Sequence, residues 1–129
     1  MKAFTDIEQS KKLVEILPID SADMHYNVVG DAIIGDYQSG ISSARSVAKA
    51  YKKSPDEFAK NVIPCWSLAA LLESLELPTL EKNGIGKGKT GWMVTHYDVN
   101  GMRYDTTYHN NPIDACYEMI LKLHEQKLL

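Results

Sequence analysis

Cysteine is scarce in this chain: Cys65 and Cys116 are the only two, and both fall in apolar stretches rather than in a loop framework. That usage excludes the disulfide-stapled scaffold of a small secreted domain and fits reduced thiols in a cytoplasm. Long apolar runs are missing as well, and the opening Met1-Lys2-Ala3-Phe4-Thr5-Asp6 reaches charge almost at once. Neither a membrane span nor a secretory leader is expected, so the predicted location is cytoplasmic. Positive charge is not in excess either. The 14 Lys and Arg face 17 Asp and Glu, a formal charge of -3, which offers no global attraction to phosphate backbones or anionic lipid. Nucleic acid and membranes are thereby disfavoured as partners. Protein, including a second copy of the chain, is the partner class that remains.

What is present suffices for one core. With 129 residues and 44% apolar content, a single domain over residues 1–129 is expected. Thr5-Asp6-Ile7-Glu8 has the form of a capping box, with Thr5 as cap and Glu8 at the third helical position. It predicts a helix from about Asp6 to Leu17, burying Ile7, Leu13, Val14, Ile16 and Leu17 and stopped by Pro18. Met24 to Val29 and Ala32 to Tyr37 read as a hairpin across Gly30-Asp31. Gln38 to Ser43 reads as a loop, and Ala44, Val47, Ala48 and Tyr51 share one helical face. Ser54-Pro55-Asp56-Glu57 starts another helix, carrying Phe58 and Val62 inward. After Pro64, the stretch Cys65 to Leu75 is apolar on nearly every side and predicts a central buried helix. Asn83 to Gly91 holds too many glycines for regular structure on its own and predicts a mobile loop.

Trp92 to Val99 and Met102 to His109 flank Asn100-Gly101, a pair suited to a two-residue type I′ turn. That register sets Met93, Thr95, Tyr97 and Val99 opposite Tyr108, Thr106, Tyr104 and Met102 on a face expected to meet the core. The other face pairs Trp92 with His109, Val94 with Thr107, His96 with Asp105 and Asp98 with Arg103. Asn111-Pro112-Ile113-Asp114 then starts a last helix running to about Gln126, its buried stripe being Ile113, Cys116, Tyr117, Ile120 and Leu123. The expected class is α+β: an antiparallel hairpin sheet against a buried central helix and the two terminal helices.

Several residues invite chemistry. A carboxylate beside an imidazole can raise its basicity, so His96 with Asp105 is a candidate general-base dyad; an ordinary cross-strand contact explains the pair more simply. Cys65, at an expected helix start that would lower its thiol pKa, is the candidate nucleophile; Cys116, on an apolar helical face, reads as inert. No catalytic residue is assigned beyond these weak candidates. Gly88-Lys89-Thr90 shares the ending of the phosphate-binding P-loop, but Asn83 stands where that motif needs glycine, and a hairpin follows where it needs a helix. Lys82, Lys87 and Lys89 remain candidates for a local anion site. The four histidines and two cysteines lack metal-ligand spacing, so neither metal nor cofactor is expected. Trp92, beside His109 on the polar face, is the candidate anchor for a partner.

Asp6 to Met24 (DIEQSKKLVEILPIDSADM), Ile63 to Leu75 (IPCWSLAALLESL), Tyr104-Asp105-Thr106 and Asn111 to Leu129 (NPIDACYEMILKLHEQKLL) together resemble a family of small bacterial proteins of unknown function. Its members come from gut anaerobes and sometimes from phage-like or mobile genetic segments. The resemblance leaves out Asn27 to Lys60. It transfers no catalytic residue and implies an accessory or interaction role. Three functions are therefore carried forward: a non-enzymatic binding or assembly module, a small hydrolase or transferase using Cys65, His96 and Asp105, and weak nucleic-acid or anion binding through the Gly/Lys loop.

Overall fold

The computed structural model describes residues 2–29, 32–37, 62–76, 78–85 and 89–129. The loop and helices expected between Gln38 and Lys60, and Lys87, lie outside the described residues. The chain is α+β, and its described residues form helices and two three-stranded antiparallel sheets. It divides into two compact units, Phe4–Ala70 and Met1–Ala3 with Leu71–Leu129. Among the described residues, no helix is long and apolar enough to cross a membrane.

In the Phe4–Ala70 unit, helix α1 (Ile7–Val14) starts one residue later than its capping signal suggests. Asp6 is the cap: its carboxylate accepts from the Gln9 amide at 2.8 Å, while the Gln9 side chain accepts from the Asp6 amide at 3.1 Å. Thr5 is committed elsewhere. Fully buried, its hydroxyl meets Ser10 Oγ at 2.8 Å and accepts from the Trp66 amide at 3.1 Å. The neighbouring carboxylate, a stronger acceptor than a hydroxyl, therefore takes the helix end. A short 3-10 turn (Ile19–Ser21) leads into the hairpin of β1 (Met24–Val29) and β2 (Ala32–Tyr37), with the strand limits the sequence suggests.

The first sheet has the order β2-β1-β3, where β3 is Val62–Cys65. The sequence reads Val62 as part of a helix and Cys65 as the start of another; the structure corrects both. Met24 to Asn27 pairs with Val62 to Cys65, and that long-range pairing overrides a local apolar pattern compatible with either state. Pro64 is tolerated because β3 is an outer strand of this sheet. Met24, Tyr26 and Cys65 form a core cluster flanked by Phe4, Ile7 and Ile63, with the Phe4 and Tyr26 rings edge to face at 5.9 Å. The expected central helix shrinks to α2 (Leu68–Glu73), whose first turn is held by Ser67 Oγ accepting from the Ala70 amide at 3.3 Å.

In the other unit the second sheet has the order β4-β5-β6: Thr79–Ile85, Lys89–Tyr97 and Arg103–Asp105. Of the glycine-rich stretch expected to be a loop, Asn83 to Ile85 and Lys89 to Gly91 are instead paired strand, in a ladder from Thr79 opposite Thr95 to Ile85 opposite Lys89; residues 86–88 lie outside the described residues. The ladder with β5 supplies the order that its own residues cannot. Helix α3 (Pro112–Glu125) begins as the sequence says, with Asn111 Oδ1 accepting from the Asp114 amide at 2.9 Å and Pro112 in the first turn. It packs on β5 and buries Ile113, Ala115, Cys116, Met119, Ile120 and Leu123. Tyr117, expected in that stripe, is only half-buried.

Candidate functional site

The hairpin of β5 and β6 carries most of the candidate residues, and its turn decides which of them meet. The expected two-residue turn does not form. Asp98 and Met102 close a three-residue loop, with Asp98 N donating to Met102 O and Gly101 N to Asp98 O, both at 3.0 Å. The Asp98 carboxylate accepts from the amides of Asn100 and Met102 at 2.8 and 2.9 Å, and Gly101 alone takes a positive φ, 81°. This is the type I turn with a following left-handed residue, favoured here because Asp98 satisfies two turn amides at once.

One residue more in the loop slips the register by one. Thr95 now faces Asp105, His96 faces Tyr104 and Tyr97 faces Arg103. The His96–Asp105 pair, and the dyad built on it, is therefore absent. Asp105 instead accepts from Thr95 Oγ1 at 2.8 Å and Arg103 Nε at 2.9 Å. The Arg103 and Thr95 hydrogen bonds hold its carboxyl below the usual carboxylate range, which suits a fixed acceptor and not a proton carrier. The burial of the faces also departs from expectation. Thr95 and Thr106 of the expected core face are buried, but so are Val94 and His96 from the other, whereas Val99, Met102 and Tyr108 from the expected core face are exposed. Among the described residues, Nδ1 of the buried His96 has no hydrogen-bond partner; its ring lies 6.2 Å from that of Tyr104.

The register recovers before the strand ends. Thr106 N donates to Val94 O, and Thr106 Oγ1 accepts from the Val94 amide at 2.9 Å. The hydroxyl replaces a ladder carbonyl, the chain bulges, and Trp92 meets His109 through two backbone bonds of 2.7 and 2.8 Å. Lys82, opposite Trp92 on β4, places its ammonium 5.4 Å from the Trp92 ring centroid, a cation–π contact.

Around His109 the structure assembles a group in which Glu118 has no counterpart among the sequence candidates. Glu118 Oε1 accepts from Thr107 Oγ1 at 3.0 Å; Oε2 accepts from the Thr107 amide at 2.9 Å and lies 3.2 Å from His109 Nε2. Burial pushes the Glu118 carboxyl up, but the bonds from His109 and Thr107 outweigh it and leave the group below its ordinary range. The Thr, His and Glu side chains do not make a relay. Thr107 Oγ1 and Glu118 both approach the same His109 nitrogen, at 3.4 and 3.2 Å, whereas passing a proton along a triad uses the two opposite ring nitrogens. The group fastens the bulge to α3. Glu118 reads in the sequence as an outward helix residue, and only the i to i+4 alignment with Lys122, which donates to the Asp105 carbonyl at 2.8 Å, marks that face as the one over the hairpin.

Of the thiols, Cys116 is fully buried and desolvation pushes it up to about 12, so it stays a thiol at neutral pH. Cys65 is a buried strand residue, and the helix start that argued for its activation is not there. Lys89 pairs with Ile85 in the β4–β5 ladder, so the described residues on both sides of 86–88 are strands, where the P-loop needs a helix to follow. Among the described residues no three His, Cys, Asp or Glu side chains gather as a metal site. No family model, curated protein or solved structure matches the chain.

Proposed function

We propose that the chain is a non-enzymatic binding or assembly module that self-associates through the end of the β5–β6 hairpin. The observation behind this reading is the pair Val99 and Met102, 85% and 58% exposed on a loop pinned by Asp98 and Gly101. Two apolar side chains held outward on an ordered backbone lose little further entropy when a partner covers them. Each square ångström of apolar surface so removed from water contributes roughly 25 cal/mol. Trp92, half-buried under Lys82, is a second contact candidate at the other end of β5. The setting that accompanies this reading is a bacterial cytoplasm, and the sequence resemblance adds phage-like or mobile genetic segments.

Sedimentation equilibrium from micromolar to millimolar concentration tests it. The native chain is expected above monomer mass, and Val99→Ser combined with Met102→Ser is expected to return it to monomer. Loss of assembly in Trp92→Ala, with the hairpin double variant still assembled, would move the contact to the Lys82–Trp92 face. A native chain that is monomeric throughout ends the assembly reading.

A further inference from the structure

The second sheet has two outer strands, and they are finished differently. β6 is three residues long, Lys122 Nζ covers its Asp105 carbonyl at 2.8 Å, and the chain bulges at once beyond it. Such an edge offers little to another strand. β4 is seven residues long, and no strand among the described residues pairs along its far side.

Which groups β4 presents follows from the ladder. Trp92 and Val94 bond toward the β6 side through His109 and Thr106. Their neighbours Met93 and Thr95 therefore bond toward β4, where they face Glu81 and Thr79. Alternation leaves the amides and carbonyls of Leu80 and Lys82 directed away from the sheet. The side chains add a charge pattern, since Glu81 and Lys82 are adjacent and so lie on opposite faces.

We propose that the outer edge of β4 docks an extended segment of a partner protein, which adds as an antiparallel fourth strand with an acidic residue opposite Lys82 and a basic one opposite Glu81. Read from its N-terminus, that segment carries acid, base, then an apolar residue opposite Leu80. A second copy of this chain fits less well. Antiparallel self-pairing about a two-fold axis keeps each face on its own side, so the register of full overlap sets Lys82 against Lys82. Like charges directly opposite are destabilising. This edge is independent of the hairpin end carrying Val99 and Met102, and the inference stands whether or not that end self-associates.

The test uses the full chain and a fluorescein-labelled nonapeptide, TVTEKVTVT, with its charge-reversed twin TVTKEVTVT. Anisotropy should show the first binding about tenfold more tightly than the second, a preference that Lys82→Glu should abolish. Amide exchange read by NMR should slow at Leu80 and Lys82 on adding TVTEKVTVT and stay unchanged at Thr79 and Glu81, which are already bonded. Lys82→Pro removes one outward amide and no ladder bond, so with circular dichroism unchanged it should weaken binding at least tenfold. No binding at millimolar peptide, equal affinity for the twins, or protection at other strands overturns the proposal. So does protection of Leu80 and Lys82 in the chain alone at high concentration, which would assign the edge to a second copy.

Discussion

The two units differ in how fully they satisfy their buried polar groups. Around Thr5, the Phe4–Ala70 unit encloses hydroxyl, amide and carbonyl groups that satisfy one another: Ser10, the Trp66 amide and carbonyl, and Tyr26, whose hydroxyl donates to the Thr5 carbonyl at 2.5 Å. The 71–129 unit also buries the Thr95 and Thr106 hydroxyls, bonded to Asp105 and the Val94 amide, but it encloses an imidazole, His96, with an orphaned nitrogen, and its contacts on Asp98, Asp105 and Glu118 lie at the rim. A satisfied interior network specifies structure and is costly to break, whereas rim contacts compete with water and cost little. Comparable substitutions should therefore have unequal effects in the two places.

The widest contrast is between two threonines. Thr5→Val keeps shape but strips partners from Ser10 and the Trp66 amide inside the core, an expected loss of about 2 to 3 kcal/mol in urea unfolding. Thr107→Val removes a hydroxyl at the exposed rim, where water can replace it at Glu118, and is expected to cost under about 1 kcal/mol. Equal losses would break the contrast. Next in size is Gly101→Ala. A methyl there meets nothing within 4 Å, so the whole cost is the left-handed backbone, about 1 to 2 kcal/mol, with the hairpin turn as the element that loosens.

The turn around Gly101 also marks the limit of what local sequence specifies. Asn100-Gly101 identifies a hairpin, and Asn111-Pro112 identifies a helix start, because the chemistry is local. The register of that hairpin was not readable from the dipeptide, since the Asp98 carboxylate two residues earlier selects the longer loop and shifts every pair toward β6 by one. The candidate site moved with it: His96 lost Asp105, while Trp92 and His109 met again only because Thr106 supplies the acceptor for a bulge. β3 is hidden in the sequence for a different reason. Ile63-Pro64-Cys65 is apolar in a way that suits strand or helix, and its partner Met24 to Tyr26 lies some forty residues earlier, beyond any local pattern.

His96 gives a smaller effect of opposite sign. Its orphaned Nδ1 is a desolvated polar atom with no compensating bond among the described residues. His96→Leu, close in volume and without that atom, is expected to stabilise the chain by about 1 kcal/mol, read from the urea midpoint at constant slope. A destabilisation of that size would show that the imidazole has a role its described neighbours do not reveal.

The rim itself is tested by pH. Glu118 sits below its ordinary pKa in the folded chain, so the unfolded chain takes up its proton first as acid is added. The contribution of Glu118 is thus fully present above the unfolded value, about 4.3, and is lost as pH falls through the lower folded value. Glu118→Gln removes this titration. Near neutral pH it is expected to cost well under 1 kcal/mol after solvent screening, about the scale of an exposed pair. Below the unfolded value its penalty should begin to shrink, and below the folded value, where the native carboxyl is neutral too, the two stability curves should converge. Urea midpoints measured from pH 7 to pH 3 check this directly. Curves that run parallel throughout would mean that Glu118 fastens the bulge by shape and neutral hydrogen bonding, and that the rim is built like the interior of the other unit after all.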